Sequence, residues 1–324
     1  MKSKTEAKRA AIHHVWRQVS GMELEFKSVT KSYGGKVVVD DLSFTVQPGR
    51  VTGFLGPNGA GKSTLMKILL DLASADKGSA TIGGTRYRDM QDPACTVGVI
   101  IEQDAFHPGR SARNHLRIVA EAGGFPAERV DEMLWLVGLS DAADRRVGAY
   151  SLGMRQRLSL AGALLGDPPV LVLDEPGNGL DPQGIRDLRA LLRDRAARGG
   201  TVFVSSHLLA EVEHLADEVV VLNKGRLVTS GLLSDLLKAT TLVRTPTPAP
   251  LSEILESAGA KVHLDDRHTL VVRDLSMEEI GERAYQAGIP LHELSPHSGS
   301  LEDLFLDWTD VGAVPDTGKE EVST

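Results

Sequence analysis

No apolar run in the 324 residues approaches the roughly 20 that a membrane-spanning helix needs, and charges stand where a signal peptide would carry its apolar core. Any role at a membrane is therefore expected to run through a partner. There is one cysteine, Cys95, which excludes an internal disulfide and is compatible with a reducing cytosol. A clustered lysine and arginine stripe is missing too. With 36 basic against 44 acidic residues the net charge is −8, which argues against a duplex-binding surface, so no nucleic-acid partner is expected. What remains is an ordinary globular composition, 41% hydrophobic, with length for one large domain or two modest ones.

The chain is organised around Gly56-Pro57-Asn58-Gly59-Ala60-Gly61-Lys62-Ser63-Thr64, set between an apolar strand, Val51 to Leu55, and a helix expected from Ser63 through Leu72. The spacing is G-x-x-x-x-G-K-[ST] in the strand-to-helix context it requires. Glycines allow successive backbone N–H groups to turn inward, and the positive end of the following helix closes the concavity, so the stretch predicts a phosphate cradle. Lys62 is then expected to reach the β- and γ-phosphates and Ser63 to offer its hydroxyl to Mg²⁺. A Gly-rich turn with no ligand is the alternative, disfavoured because strand, loop and helix agree.

Taken in order, residues 1–21 carry Lys2, Lys4, Lys8, Arg9, His13, His14 and Arg17 and read as a mobile arm, in preference to an amphipathic lipid anchor. From Met22, alternating segments at Glu23–Phe26, Val37–Val39 and Leu42–Val46, with turn signals at Gly34-Gly35 and Pro48-Gly49, predict antiparallel strands. Tyr33, upstream of the cradle, is placed either to stack on an adenine or simply to pack. The strand Val97–Ile101 leads to Gln103, which could bridge a nucleotide-bound metal and a movable helical segment. Helices over Asn114–Ala122 and Ala127–Val137 then interrupt the strand–helix alternation. Ser151 is an N-cap and Gly153 permits close approach at the next helix start, a second phosphate site or a plain capped helix. Val170–Leu173, apolar on both faces, ends in Asp174-Glu175, where open α/β sheets bind ligands; one acid can hold the metal and the other reach an attacking water. A helix follows Asp181-Pro182, and the strand Thr201–Ser206 ends at His207, read either as a γ-phosphate donor or as a structural histidine.

This order of motifs resembles the nucleotide-binding subunit of an ABC transporter over about residues 22–235. The resemblance implies a P-loop NTPase ABC ATPase fold, in which a RecA-like core carries antiparallel β and helical subdomains, with ATP and Mg²⁺ as cofactors. It places Tyr33 against adenine, Gly56 to Thr64 in the Walker A loop, and Gln103 in the Q-loop. Ser151 and Gly153 fall in the signature, Asp174 is the Walker B aspartate, Glu175 the catalytic base, Asp181 the D-loop residue and His207 the switch histidine. Lys62 joins Glu175 and His207 in catalysis; Ser63, Gln103 and Asp174 are the metal ligands. The sequence departs from the usual Leu-Ser-Gly-Gly-Gln signature at Tyr150, Leu152 and Met154, and Gly177 stands where threonine is common. The runs around Ser151, Gly179 and Ser205 look most like the bacterial antibiotic and lantibiotic export branch, typified by bacitracin-resistance ATPases. A separate integral-membrane subunit and a homodimer or heterodimer of nucleotide-binding domains are implied, at the cytoplasmic face of the membrane. An importer ATPase, a soluble ABC ATPase acting on ribosomes or DNA, and a non-hydrolysing regulatory module are the rival readings; two cassettes in one chain or a long coiled coil would favour the second, and neither is present.

The expected organisation is an arm over 1–21, a nucleotide-binding domain over 22–238 with a helical subdomain at about 104–166, a small domain over 239–310, and a disordered tail over 311–324. In the small domain, Pro246, Pro248 and Pro250 predict a linker or broken strand. Strands at Thr241–Arg244, Lys261–Leu264, Thr269–Arg273 and Leu291–Leu294, with helices at Leu251–Ala258 and Met277–Ala287, predict a ferredoxin-like β-α-β-β-α-β order, closed by a helix near Ser300–Leu306.

Overall fold

The computed structural model describes residues 19–101, 106–237, 240–297, 301, 302, 304 and 305. Gln103, most of the expected arm and the expected tail lie outside the described residues. The end of that arm does not behave as mobile chain, since Val19 N–H donates to Arg198 O (3.2 Å) and Gly21 N–H to Gly199 O (3.0 Å).

β1 (Leu24–Tyr33) and β2 (Lys36–Val46) turn on Gly34-Gly35, β3 (Val51–Leu55) runs into the cradle and α1 (Lys62–Leu69), and β4 (Lys77–Ile82) returns to pair with β1. The result is a three-stranded antiparallel sheet in the order β2-β1-β4. β1 and β2 are longer than alternation suggests. Register shifts after Phe26, Val29 and Lys31 carry the polar stretch through the ladder, and bulges of this kind break the period of two that strand reading relies on.

β5 (Val97–Ile100), β6 (Val170–Asp174), β7 (Thr201–Ser206), β8 (Glu218–Asn223) and β9 (Arg226–Leu232) join β3 in a six-stranded sheet of order β5-β6-β7-β3-β8-β9. The pairs β5/β6, β6/β7, β7/β3 and β3/β8 are parallel. Every residue of β3, β6 and β7 is buried, as a parallel sheet covered on both faces requires. Four of the chain's seven phenylalanines fill the space between the two sheets. Phe26 stacks on Phe44 at 4.5 Å and Phe54 meets Phe203 in a tilted pair at 4.9 Å, contacts worth about 0.5–1.5 kcal/mol each beyond the area they bury. The other face is covered by α2 (Ala112–Gly123), α3 (Glu128–Leu136), α4 (Leu152–Ala163) and α5 (Pro182–Ala197). A short α6 (Leu209–Glu213) follows β7.

By their contacts the described residues divide into two compact units, up to Gly231 and from Leu232. The second contains β10 (Thr240–Arg244), α7 (Pro248–Ser257), β11 (Lys261–Asp266), β12 (Thr269–Arg273), α8 (Met277–Gln286) and β13 (Glu293–His297), with the sheet in the order β11-β12-β10-β13. All its strand pairs are antiparallel, which is the split β-α-β arrangement expected. Leu251, Leu255, Leu270, Val272 and Ile280 form its core. Two expectations fail here. Pro248 does not break a strand or sit in a linker but opens α7 at its first turn, where a missing N–H costs nothing. β13 starts two residues later than read, ends three later, and takes Pro296 into the ladder, which an edge strand tolerates. Leu301 and Leu304, in the expected closing helix, are buried.

Candidate active site

The parallel register brings the chemistry together. Leu55 lies opposite Ser206, and Asp174 opposite Ser205, so β3, β6 and β7 end at one level. Beyond those ends the cradle turns into α1 through Gly61, whose φ of +106° suits glycine and whose absent Cβ would lie 2.8 Å from Val38 O. Pro57, Asn58 and Gly59 are exposed while Ala60, Gly61 and Lys62 are buried, so the loop faces solvent on one side and the core on the other.

Lys62 folds back over the loop, its Nζ donating to Gly56 O (2.6 Å) and Pro57 O (3.3 Å). Burial pulls its pKa below the ordinary lysine value, and the nearby Glu175 and Asp174 carboxylates pull the other way. Asp174 is buried at the end of β6 and accepts a hydrogen bond from Ser205 Oγ, which in turn accepts from Glu175 N–H (3.0 Å). Glu175 sits in the left-handed region, φ +50°, so its side chain departs from the line of the strand. Its Oε2 is 2.7 Å from His207 Nδ1. Against an ionised Glu175 that contact needs the proton on Nδ1.

One cleft of about 210 Å³ is lined by Val38, Asn58, Gly59, Gly61, Lys62, Ser63, Thr64, Asp174 and Glu175. It therefore gathers the second half of the cradle and both acids. His207 does not line it but bonds a residue that does. Ser63 and Asp174 offer a hydroxyl and one carboxylate on the same cleft, and among the described residues no group of three or more His, Cys, Asp or Glu is arranged to hold a metal. Such a hard-oxygen set fits Mg²⁺, which binds through one or two protein ligands and takes the rest from phosphates and water. Gln103 lies outside the described residues.

Ser151, Gly153 and Asp181 are elsewhere. Ser151 Oγ caps α4 by accepting from Met154 N–H (3.2 Å), and Asp181 caps α5 by accepting from Gly184 N–H (3.0 Å). Gly153 does permit a close approach, but to protein: a Cβ there would lie 2.6 Å from Gly179 O. Leu152, one of the residues that depart from the usual signature, packs against Gly179, where an added Cβ would lie 2.5 Å from it. Tyr33 is 49% exposed at the end of β1, with Lys31 Nζ 5.2 Å from its ring centroid, and does not line the cleft. Sequence reading missed Ser205, Val38 and Gln156; the last donates from Nε2 to Glu175 O at 3.3 Å. Ser205 had a signal, a hydroxyl following the apolar run Val202–Val204 at the end of a buried strand, whereas Gln156 had none.

Residues 39–178 match the family described as ABC transporter, and residues 239–302 match a domain of unknown function, DUF8746. An uncharacterized ABC transporter ATP-binding protein of Bacillus subtilis is 39% identical over 88% of this chain and 95% of its own length. A bacitracin transport ATP-binding protein of Enterococcus faecalis is 35% identical over 87% and 94%, and a Nod factor export ATP-binding protein of Burkholderia orbicola 36% over 88% and 96%. Among solved structures, an ATP-binding subunit of an ABC transporter superposes with a TM-score of 0.61 at 31% identity, covering 66% of this chain and 91% of that one. The phosphate cradle, the paired acids at the end of β6 and these relatives agree: the chain belongs to the ABC transporter family, as an ATP-binding protein with the ABC ATPase fold.

Proposed function

We propose that this protein is the ATP-hydrolysing subunit of an exporter for antibiotic- or peptide-like compounds, working at the cytoplasmic face of the membrane through a separate membrane-embedded subunit. The observation that carries it is the convergence of Lys62, Ser63, Asp174 and Glu175 on one cleft. The names of relatives that act in bacitracin transport and Nod factor export support the outward direction.

Phosphate oxygens take the place of the Gly56 and Pro57 carbonyls as acceptors for Lys62, and the first N–H groups of α1, which have no intrahelical partners, face the same charge. Ser63 and Asp174 would hold Mg²⁺, which would supply charge neutralisation on the phosphates. Glu175 orients the attacking water and takes its proton, while His207 holds that carboxylate in place. Ser151 and Gly153 lie off the cleft, so they serve the nucleotide of a second copy, and a head-to-tail pair encloses two ATP molecules. Tyr33 supplies the adenine contact. Hydrolysis reopens the pair, and Gln103 with the helices that follow passes the movement to the membrane subunit.

Glu175→Gln tests the assignment. Removing a general base costs about 10²–10⁴-fold in turnover. Phosphate release should fall by that order, with ATP affinity retained and dimer accumulating in size-exclusion chromatography. Undiminished turnover would remove Glu175 from the role of base.

A further inference from the structure

Glu175 is held in an unfavourable backbone conformation, and what holds it includes a residue with no assigned part in the chemistry. A non-glycine residue in the left-handed region costs about 1–2 kcal/mol. At Glu175 the N–H is fixed by Ser205 Oγ at 3.0 Å, and the carbonyl accepts from Asn178 N–H at 3.2 Å and from Gln156 Nε2 at 3.3 Å. Gln156 is 2% exposed. Its carboxamide can be oriented only one way, because turning it over would set two carbonyl oxygens against each other. In that orientation Oε1 is buried with no hydrogen-bond partner among the described residues. An unpaired buried carbonyl costs about 1–3 kcal/mol, so a glutamine that served only to fill space would be replaced at a gain by leucine or methionine. Its donor is what the site uses.

Gln156 also belongs to the helix that begins at Ser151. That helix is laced to the stretch after the base at further points: Arg157 Nη2 donates to Asp181 Oδ1 at 2.8 Å, and Gly153 lets it approach Gly179 O. The lacing is not packed solid, since a cavity of about 170 Å³ lined by Gln156, Pro176, Leu180 and Leu188 lies alongside. We propose that Gln156 is a positioning residue for ATP hydrolysis, its carboxamide tying the backbone of the catalytic base to the helix that carries Ser151. This inference rests on the reading of the site as an ATPase with Glu175 as base. Loss of the tie lets Glu175 relax toward ordinary backbone geometry, which moves the carboxylate off the attacking water and leaves the cradle untouched. The effect therefore falls on kcat and spares nucleotide binding.

Two variants of the full-length chain separate positioning from packing. Gln156→Leu keeps the volume and removes the donor; kcat is expected to fall about tenfold or more, the loss that follows from about 1.4 kcal/mol of misplacement, with KM and ATP affinity by equilibrium dialysis within about twofold. Gln156→Glu carries an acceptor when ionised and a donor when protonated. Burial against a carbonyl raises the pKa of that carboxyl, so lowering the pH restores an O–H that donates to Glu175 O. The ratio of kcat for Gln156→Glu to kcat for Gln156→Leu should then rise as the pH is lowered from 8 to 6, following the protonated fraction of the carboxyl. Wild-type kcat in Gln156→Leu, a ratio flat across that range, or loss of ATP binding together with thermal stability in both variants would each overturn the tie. A wild type without Mg²⁺-dependent turnover, or an undiminished Glu175→Gln, overturns the reading of the site itself and the tie with it. An active wild type with a dead Glu175→Gln and a normal Gln156→Leu overturns the tie alone.

Discussion

Asp71 shows how a single side chain can tune this fold without touching the cleft. It follows α1 in the left-handed region, φ +54°, and its carboxylate accepts from Arg88 Nη2 at 2.5 Å and from Arg88 N–H at 3.0 Å. The Arg88 side-chain hydrogen bond holds the Asp71 carboxyl below its ordinary range. A carboxyl whose folded pKa is depressed adds stability above its unfolded pKa of about 3.9 and loses it as pH falls through the folded value. Asn tolerates the same backbone conformation, so Asp71→Asn changes the charge and little else. We expect Asp71→Asn to melt below the wild type from pH 5 upward, and the gap to close as the pH drops below about 4. Arg88 is largely exposed, so added salt should narrow the gap as well. Thermal melts over that pH range in low and high salt check both trends, and a gap that does not narrow as the pH falls would assign the effect to something other than the ion pair.

Elements were legible where chemistry demands fixed residue types side by side. The cradle, the apolar run of β6 and the capped start of α4 each read directly, because a tight anion-binding turn, a doubly covered strand and an orphaned helix end leave few residue choices. What escaped was set by partners distant in sequence. Ser205 meets Asp174 only because β6 and β7 run parallel in that register, and Gln156 meets Glu175 only because α4 lies against the loop after β6. β8 and β9 fall outside the sequence-based expectations, although Val219–Leu222 is a buried apolar run. Arg195 is a sharper case. In a helix rich in arginine it reads as one more solvated charge, yet it is fully buried, pairing with Asp167 Oδ1 at 2.6 Å and donating to Pro168 O. This pair anchors α5 to the loop that feeds β6. Arg195→Met leaves Asp167 unpaired; because that carboxylate is 24% exposed, water meets part of its need, and the cost is expected at the low end for a broken buried pair, about 3 kcal/mol. The urea midpoint should fall with the slope unchanged. ATP affinity should hold, since Asp167 precedes the start of β6 and the cleft lies at its other end.

Within one copy of the chain two groups of motif residues lie apart. Lys62, Ser63, Asp174 and Glu175 line the cleft, while Ser151, which caps α4, and Gly153, which is packed beside Gly179, do not. If each cleft is completed by the Ser151 region of another copy, defects in the two groups must complement each other when copies mix. A chain carrying Glu175→Gln has no base of its own but still presents an intact helix start to its partner. A chain carrying Ser151→Arg has an intact base but a blocked helix start. Each pure preparation should be inactive. In a mixed pair, the Ser151→Arg chain's cleft faces the intact helix of the Glu175→Gln chain, so one cleft of two is whole. Random pairing of equal amounts makes about half the dimers mixed, so turnover should recover to about one quarter of the wild-type value. A site built wholly within one chain predicts no recovery at any ratio, because both defects would then lie in the cleft that carries them. Phosphate release measured across mixing ratios, with its maximum at equal amounts, distinguishes the two arrangements.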